Sequence, residues 1–344
     1  MSVGTSPQSE TPTQSGDEPS EAQPPGRPRR ELPTLELLAL VLVLAVLLRP
    51  RLEGFFDQPA LQTWSTIFVS ITVQALPFLT LGVVVSGAIA ALIPPGWLAR
   101  VLPKRAVLAV PTASLAGVAL PGCECGSVPI AGRLTAQGAM PAAALAFMLA
   151  APAINPVVMV ATAVAFPGQP RMVLARFVAS FITAVVVGLV WHRVGRDAWI
   201  ERARSRVVEG ATRWASFTST ARHDFLHAGG WLVLGGVTAA TLQTFVPRAI
   251  LDTVAGSEVA AIAALGVLAV VLAICSEADA FVAVGLSQFS LTSRLVFLVV
   301  GPAVDIKLIA LQVGTFGRAF ALRFAPLTFF VAVTVAVVVG RMVL

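Results

Sequence analysis

Charged side chains are scarce in this sequence, and their scarcity excludes a soluble protein. Of the 344 residues only 12% are Asp, Glu, Lys or Arg, whereas 56% are apolar. A soluble globular domain carries about 25% charged residues. Apolar runs long enough to cross a bilayer as helices fill most of the chain, and the short segments of alternating polarity that a barrel requires are missing. We therefore expect an all-α polytopic membrane protein.

Three further features are absent or rare, and each excludes a class of protein. Three cysteines in apolar surroundings are too few for a secreted disulfide framework. The sequence has no glycine-rich loop followed by Lys and Ser or Thr, so it brings no ATPase of its own. The net charge of +6 comes from arginines that flank apolar runs, which indicates membrane orientation and not nucleic-acid binding. We predict neither enzymatic activity nor a cofactor.

The N-terminal region differs in composition from the rest of the chain. Residues 1–33 are rich in Pro, Ser, Glu, Gln and Thr without an apolar run, which predicts a disordered cytoplasmic tail and not a signal peptide. The apolar run within residues 34–50 predicts one transmembrane helix. The remaining chain is predicted to form a membrane repeat over 60–193, a basic cytoplasmic linker over 194–225 and a second membrane repeat over 226–344.

The two membrane regions resemble each other at an offset of about 150 residues. At that offset Cys125 aligns with Cys275, and "PAIN" at 152–155 aligns with "PAVD" at 302–305. Matched Cys, Pro and Asn/Asp carry more weight than matched Leu or Val, which coincide by chance in apolar sequence. Each repeat is predicted to hold three crossing helices and one broken or re-entrant segment, at 106–137 and at 258–290.

The positions of the basic residues predict that the two repeats are inverted. Arg100, Lys104, Arg105 and the arginines of the linker belong on the cytoplasmic side by the positive-inside rule. An even number of crossings must separate them, so the segment at 106–137 enters and leaves on one side as a re-entrant hairpin. Three crossings per repeat turn the second repeat upside down, as in many secondary transporters. We expect a multi-pass protein of the inner (plasma) membrane with a cytoplasmic N-terminus.

The two predicted breaks carry thiols and acids within the apolar region. The first is "PGCECGSVP" at 121–129, and the second is "CSEADAF" at 275–281. A charged side chain at membrane depth costs about 2.5–3.5 kcal/mol on insertion scales unless it is protonated, solvated or bound to a cation. We therefore predict a substrate site at the bilayer midplane. Its candidate residues are Cys123, Glu124, Cys125, Cys275, Glu277 and Asp279.

Three more polar residues follow prolines and complete the candidate substrate site. Asn155 and Asp305 occupy equivalent positions of the two repeats. Lys307 lies two positions from Asp305, where the side chains of a helix face different directions, so we predict that it neutralises an acid of the opposite repeat instead. Structural roles stay open as alternatives: the cysteines pack in a crowded turn, Glu277 and Asp279 cap the second half-helix, and Asn155 or Asp305 satisfies carbonyls that proline leaves free.

The residue types predict the chemistry of the substrate. Thiolates select Zn²⁺, Cu⁺ and thiophilic metalloids, while carboxylates supply a hard ligand or carry a coupling proton. We predict a permease in which Cys123, Cys125 and Cys275 ligate a small inorganic or organometalloid substrate as metal ligands. A membrane thiol-disulfide oxidoreductase and a transporter of a small sulfur compound remain alternatives. The expected partners are the substrate and the lipid bilayer; proton coupling and homo-oligomerisation are left open.

The stretch "PGCECGSVPIAGRLTAQGAMPAAALAFMLAAPAINP" at 121–156 resembles the signature of the predicted-permease family that includes bacterial organoarsenical efflux permeases. The resemblance covers about residues 60–342 and implies cysteine-based handling of trivalent arsenicals, as in some members. The sequence differs from that signature at Glu124, where Ser is usual, and in the two acids of "CSEADAF". The added negative charge favours a cationic substrate or proton coupling over a neutral arsenical.

Overall fold

The structure, a computed structural model, is helical throughout the part of the chain that it describes. It describes residues 59–92, 105–120, 122–196, 212–245 and 257–344, together with Pro103, Trp199, Ile200 and Ala203. These residues contain no strand, and six of their helical segments are long and apolar enough to cross a membrane. The predicted all-α membrane class is confirmed. The predicted tail 1–33 and the predicted first helix 34–50 lie outside the described residues.

The first half of the described chain forms six α-helices. They are α1 Pro59–Leu92, α2 Ala106–Ala116, α3 Glu124–Ala136, α4 Pro141–Ile154, α5 Pro156–Ala165 and α6 Pro170–Val194. Prolines begin α4, α5 and α6, at the first helical position, where a missing N–H costs no hydrogen bond. Helices α4 and α5 form one apolar span that is interrupted at Asn155, because Pro156 drives the residue before it into extended backbone.

The second half repeats this order of elements. Its helices are α7 Arg213–Phe245, α8 Glu258–Leu272, α9 Asp279–Gly285, α10 Leu291–Ala303, α11 Ile306–Thr315 and α12 Arg318–Val343. Helices α10 and α11 again form one span, interrupted at Asp305. The starts of α4 and α10, and those of α5 and α11, are each separated by 150 residues, as the sequence offset predicts.

The boundary between the predicted linker 194–225 and the second repeat lies earlier than expected. Helix α7 begins at Arg213, so the end of the linker continues this helix. The 33 residues of α7 make a helix about 50 Å long at about 1.5 Å per residue. Because the hydrocarbon core is only about 30 Å thick, the polar first turns of α7 extend beyond it.

Apart from the helices of the two interrupted spans, four helices are too short to cross a bilayer by themselves. Helices α2, α3, α8 and α9 have 11, 13, 15 and 7 residues, whereas a span needs about 20. They occupy the two segments predicted at 106–137 and 258–290 to be broken. Residues 273–278 between α8 and α9 are not helical, and neither are the described residues Leu120, Gly122 and Cys123 before α3. A broken or re-entrant segment in each repeat stays a prediction.

Helices at equivalent positions in the two halves pack against each other in opposite directions. Near the start of α1, Trp64 Nε1 donates to Thr241 Oγ1 at the end of α7 (3.0 Å), and near the end of α1, Ser86 Oγ donates to Asp224 Oδ2 in the first half of α7 (2.7 Å). Trp191 near the end of α6 packs edge-on against Phe320 near the start of α12, with ring centroids 5.0 Å apart. Both pairs of helices are therefore antiparallel.

The interrupted spans form the centre of the molecule. Every residue from 142 to 154 in α4 and from 295 to 303 in α10 is buried, whereas the other four candidate spans bury less than half of their most apolar part. The outer spans therefore present apolar side chains to lipid, and α4 and α10 present theirs to protein. The interruptions of these spans, at Asn155 and Asp305, lie inside this buried centre.

A pair of glycines sets the distance between α1 and α3. A Cβ atom on Gly82 would lie 2.4 Å from the Gly126 Cα and 2.6 Å from its carbonyl oxygen. A Cβ atom on Gly126 would lie 2.8 Å from the Phe78 carbonyl oxygen. Small residues of this kind let helix backbones approach closely within a membrane. The contact holds the first turn of α3, which carries Cys125, directly against α1.

We expect Gly82→Ala to lower the stability of the protein by about 1–3 kcal/mol, because the added methyl group meets backbone that no side-chain rotation can move away. The measurement is the temperature at which detergent-solubilised protein loses its monodisperse peak in size-exclusion chromatography. Gly230→Ala on α7 is the matched control, since a Cβ atom there meets nothing within 4 Å. Equal melting of the two variants would contradict the close contact.

Candidate functional site

Two interruptions of helical backbone lie in the buried centre. The first break precedes α3 and is described at Leu120, Gly122 and Cys123, and the second break, residues 273–278, separates α8 from α9. At the second break Ala273 turns the chain with φ 46°, a left-handed conformation that strains a residue with a side chain. The Gln243 side chain of α7 donates to the Leu272 carbonyl, which the end of α8 leaves free.

The three cysteines come together where the two breaks meet. Cys123 is the N-cap residue of α3, Cys125 lies in the first turn of that helix, and Cys275 lies in the second break. The thiols of Cys125 and Cys275 both interact electrostatically with the Cys123 thiol. All three cysteines are free and buried. Residues that the sequence separates by about 150 positions thus form one cluster.

The backbone makes Cys275 the counterpart of Cys123, and this corrects the sequence alignment with Cys125. Each carbonyl accepts from the amides three and four residues further on, at 3.1 and 3.3 Å for Cys123 and at 2.9 and 3.1 Å for Cys275. The offset between these two cysteines is 152 residues, and the starts of α2 and α8 have the same offset. The starts of α4 and α10, and those of α5 and α11, are again 150 residues apart. The offset decreases because the chain between the break and the next span is two residues shorter in the second half.

Lys307 in the first turn of α11 is the central cation of the cluster. Its Nζ donates to Glu124 Oε1 at 2.8 Å and lies 3.7 Å from Asp305 Oδ2 and 3.8 Å from Cys275 Sγ. Lys307, Glu124 and Asp305 are at most 1% exposed. The structure agrees with the prediction that Lys307 neutralises an acid of the other half. It corrects the expectation that Asp305 faces elsewhere: Asp305 is extended at the N-cap and not part of the helix.

Asn155 and Asp305 begin the second halves of the interrupted spans in the same way. Asn155 Oδ1 accepts from the Val158 amide at 3.0 Å, and Asp305 Oδ1 accepts from the Leu308 amide at 2.6 Å. Side chains of this type satisfy amides that a helix start leaves free. Asn155 Nδ2 also donates to the Gly122 carbonyl at 3.0 Å, which ties the first break to the interrupted span. Both residues therefore cap helices, a role that the sequence did not lead us to assign to them.

A second buried cation, Arg176 on α6, lies beside the second break. Its guanidinium donates to Asp279 Oδ2 at 2.7 Å, to the Ser276 carbonyl at 3.2 Å and to Thr162 Oγ1 at 2.8 Å. Arg176 is fully buried. Sequence reasoning missed this residue, although an arginine seven positions into the 25-residue apolar helix α6 was a signal in itself.

Several carboxylate oxygens near the breaks lack a hydrogen bond within the described part of the chain. They are Glu124 Oε2, Asp279 Oδ1, Asp305 Oδ2 and both oxygens of the partly buried Glu277. No group of three or more His, Cys, Asp or Glu side chains among the described residues has the arrangement of a metal site. Ligation of a metal by the cysteines therefore stays a prediction.

A further buried ion pair lies away from the cysteines. Arg133 near the end of α3 approaches Asp224 on α7 at 3.5 Å, and Asp224 also accepts from Ser86 on α1. All three side chains are buried. This pair holds the other end of α3, so both ends of the helix are tied by ionic contacts.

A bundle of apolar spans with broken helices and buried charges at its centre defines a multi-pass membrane protein. The chain belongs to the predicted permease family, since the family model ArsP_1, described as "Predicted permease", matches residues 60–342. That description is of a transport protein. It also confirms the resemblance at the level of the family.

Two curated relatives cover most of the chain. This chain is 34% identical over 279 residues to "UPF0718 protein YcgR" of Bacillus subtilis (strain 168), and the aligned region covers 79% of this chain and 94% of the relative. It is 31% identical over 284 residues to the "Putative two-component membrane permease complex subunit" of Streptococcus mutans serotype c (strain ATCC 700610 / UA159), spanning 80% of this chain and 94% of the relative. No solved structure matches the chain significantly.

We expect Lys307→Met to destabilise the protein by about 3–5 kcal/mol, because it leaves Glu124 and Asp305 buried without their shared cation. The double variant Glu124→Gln/Lys307→Met removes the pair together, so it should regain part of the loss. Thermal unfolding of the detergent-solubilised variants measures both effects.

The matched control removes an ion pair at the surface. Glu258 and Arg341 lie 3.6 Å apart with side chains 52% and 60% exposed, so Glu258→Gln should change stability by less than about 1 kcal/mol. A Lys307→Met variant that melts with the parent protein or with Glu258→Gln would contradict the central role of Lys307.

Proposed function

We propose that this permease is a secondary transporter that moves a thiophilic metal or metalloid species through the cluster at the two breaks. Cys123, Cys125 and Cys275 would ligate the substrate in transit. Thiolates favour soft ions and thiophilic metalloids over hard cations. The observation that carries the proposal is the meeting of all three cysteines of the chain at one buried position.

The charges around the thiols favour a cationic substrate or a coupled proton. Two of the four acids have direct cationic partners, Glu124 with Lys307 and Asp279 with Arg176. Asp305 shares Lys307 at a longer distance, and Glu277 accepts no hydrogen bond from a described residue. Four acids against two bases leave negative charge in excess, which is costly at membrane depth unless a cation or protons offset it.

We further propose that the two halves are inverted repeats, each with a re-entrant hairpin. The antiparallel packing of α1 with α7 and of α6 with α12 supports the inversion. The contacts of α4 support the hairpin. Gly117 of the turn after α2 approaches Ala151, near the end of α4. Earlier in α2, Val110 lies in one cluster with Ala142 and Ala146, near the start of α4. The start of α3 lies near the end of α4, since Asn155 Nδ2 donates to the Gly122 carbonyl, and residues 137–140 join the end of α3 to the start of α4. Helices α2 and α3 thus follow α4 in opposite directions.

A small sulfur compound is the second candidate substrate. The acids of the site argue against an anion, but Lys307 and Arg176 offset two of them, and the Lys307 ammonium lies 3.8 Å from the Cys275 thiol. A cation beside a thiol suits an anionic sulfur species that exchanges with thiols. The transport experiment below therefore includes thiosulfate beside the soft metals.

We expect everted membrane vesicles that contain the protein to take up at least one of Zn²⁺, Cu⁺ and methylarsenite. Cys123→Ser, Cys125→Ser and Cys275→Ser should each lower that uptake by at least about tenfold, the smaller end of the losses that changes around metal sites cause. Vesicles without the protein and vesicles with Glu258→Gln at equal protein content are the controls. Normal flux in all three cysteine variants would refute the thiol site, and flux of thiosulfate alone would select the second candidate.

The orientation is tested by single cysteines in a variant that lacks the native three. We expect Arg105→Cys and Arg196→Cys to react with a membrane-impermeant maleimide from the cytoplasmic side, and Gln169→Cys and Ser287→Cys from the opposite side. One crossing separates Arg105 from Gln169 if the intervening short helices form a hairpin, and two separate them if the short helices cross. Labelling of Arg105→Cys and Gln169→Cys from the same side would contradict the hairpin.

A further inference from the structure

The side chain of Arg176 connects the second break to the other half of the molecule. Arg176 belongs to the first half, whereas Asp279 and the Ser276 carbonyl belong to the second. Ser276 directly follows Cys275, and the Cys275 carbonyl accepts from the Asp279 amide. The guanidinium therefore forms hydrogen bonds at both ends of the turn that follows Cys275, to the Ser276 carbonyl and to the Asp279 carboxylate.

The first break is held differently. The Gly122 carbonyl, directly before Cys123, accepts from Asn155 Nδ2 at 3.0 Å. Asn155 is uncharged and lies in the same half as the break that it holds. A movement of one half against the other can leave this contact intact, although it would strain the pair of Lys307 with Glu124 beside Cys123. The backbone on both sides of Ser276, in contrast, has its contacts with Arg176 of the other half. The two breaks are thus unequally attached.

We propose that Arg176 is a positioning residue that places Cys275 beside Cys123, and that loss of its ion pair with Asp279 opens the substrate site at the second break. A planar guanidinium with several donors can grip a carboxylate and a carbonyl together. Thr162 on α5 fixes the remaining side of the group. Asp279 then holds Arg176 and does not contact the substrate. The inference rests on the proposed function in that Cys275 belongs to the substrate site.

The energetics favour a contact that is either fully made or fully broken. A buried ion pair that loses one partner leaves the other charge in low dielectric, which is strongly unfavourable. Arg176 is fully buried, and the Asp279 side chain is 3% exposed. A partly separated pair would therefore be costly, and opening requires water or a substrate to reach both charges. These are the properties of a two-state element.

The test measures the access of reagents to Cys275 and needs no transport substrate. In the background Cys123→Ser/Cys125→Ser, Cys275 is the only cysteine of the chain. The rate of its alkylation by N-ethylmaleimide in native membranes reports how often the second break opens. We expect Arg176→Gln/Asp279→Asn, which removes the pair without leaving an unpaired charge, to raise that rate at least about tenfold. Arg176→Lys keeps the positive charge but loses the planar set of donors that binds a carboxylate and a carbonyl together, so we expect an intermediate rate of alkylation.

Two comparisons separate a positioning role from general loosening. The first is the double variant Arg133→Gln/Asp224→Asn, which removes the buried ion pair at the far end of α3 and should leave the alkylation of Cys275 unchanged. The second is a reporter with Cys123 alone, in the background Cys125→Ser/Cys275→Ser. Its rate should stay unchanged in Arg176→Gln/Asp279→Asn, because Asn155 holds the first break.

An unchanged rate at Cys275 in Arg176→Gln/Asp279→Asn would overturn the proposal. An equal increase at Cys123, or in the Arg133→Gln/Asp224→Asn control, would overturn it as well, since either result shows that the whole bundle has loosened. Failure of the substrate proposal would instead appear as absence of uptake in vesicles with the alkylation pattern intact. The two failures are therefore distinguishable.

Discussion

Lys307 donates to Glu124 across the buried centre, and the arrangement of both breaks follows from that contact. The ammonium needs an acceptor at membrane depth, and Glu124 needs a cation. The pair fixes the start of α11 against the start of α3, which places Asp305 at a helix N-cap and Cys275 within reach of the same ammonium. Because α3 and α11 begin at chain interruptions, their first turns bring polar groups to one point that no continuous helix could supply.

The sequence predicts the apolar spans because run length and proline positions are local properties. The interruptions at Asn155 and Asp305 were not predicted, although a polar residue near a proline in an apolar run was a local signal for them. Arg176 was missed because its partners lie about 100 residues away and only the packing of α6 against the second break brings them together. The similarity of the backbone positions of Cys275 and Cys123 was missed because an alignment at a constant offset does not reveal a two-residue difference in loop length.

The partners of the acids change how Glu124 should be understood. In the sequence it appears as extra negative charge between two cysteines, whereas in the structure Lys307 takes up that charge. The excess that remains comes from Asp305 and Glu277, on α11 and at the second break. Selectivity by charge would therefore depend on residues of the second half, while the first half supplies two of the three thiols. Both halves are needed for one site, which agrees with the position of substrate sites between repeats in secondary transporters.

The contact between Gly82 and Gly126 constrains how these parts can move. Neither position has room for a side chain, so the backbones of α1 and α3 lie in direct contact near the first turn of α3. A joint of this kind permits rotation about the point of contact but not sliding, because any shift along the axis would bring larger neighbouring side chains into a gap that admits only hydrogen atoms. A shift of α3 along α1 is therefore disfavoured, and this keeps the first turn of α3, with Cys125, next to α1.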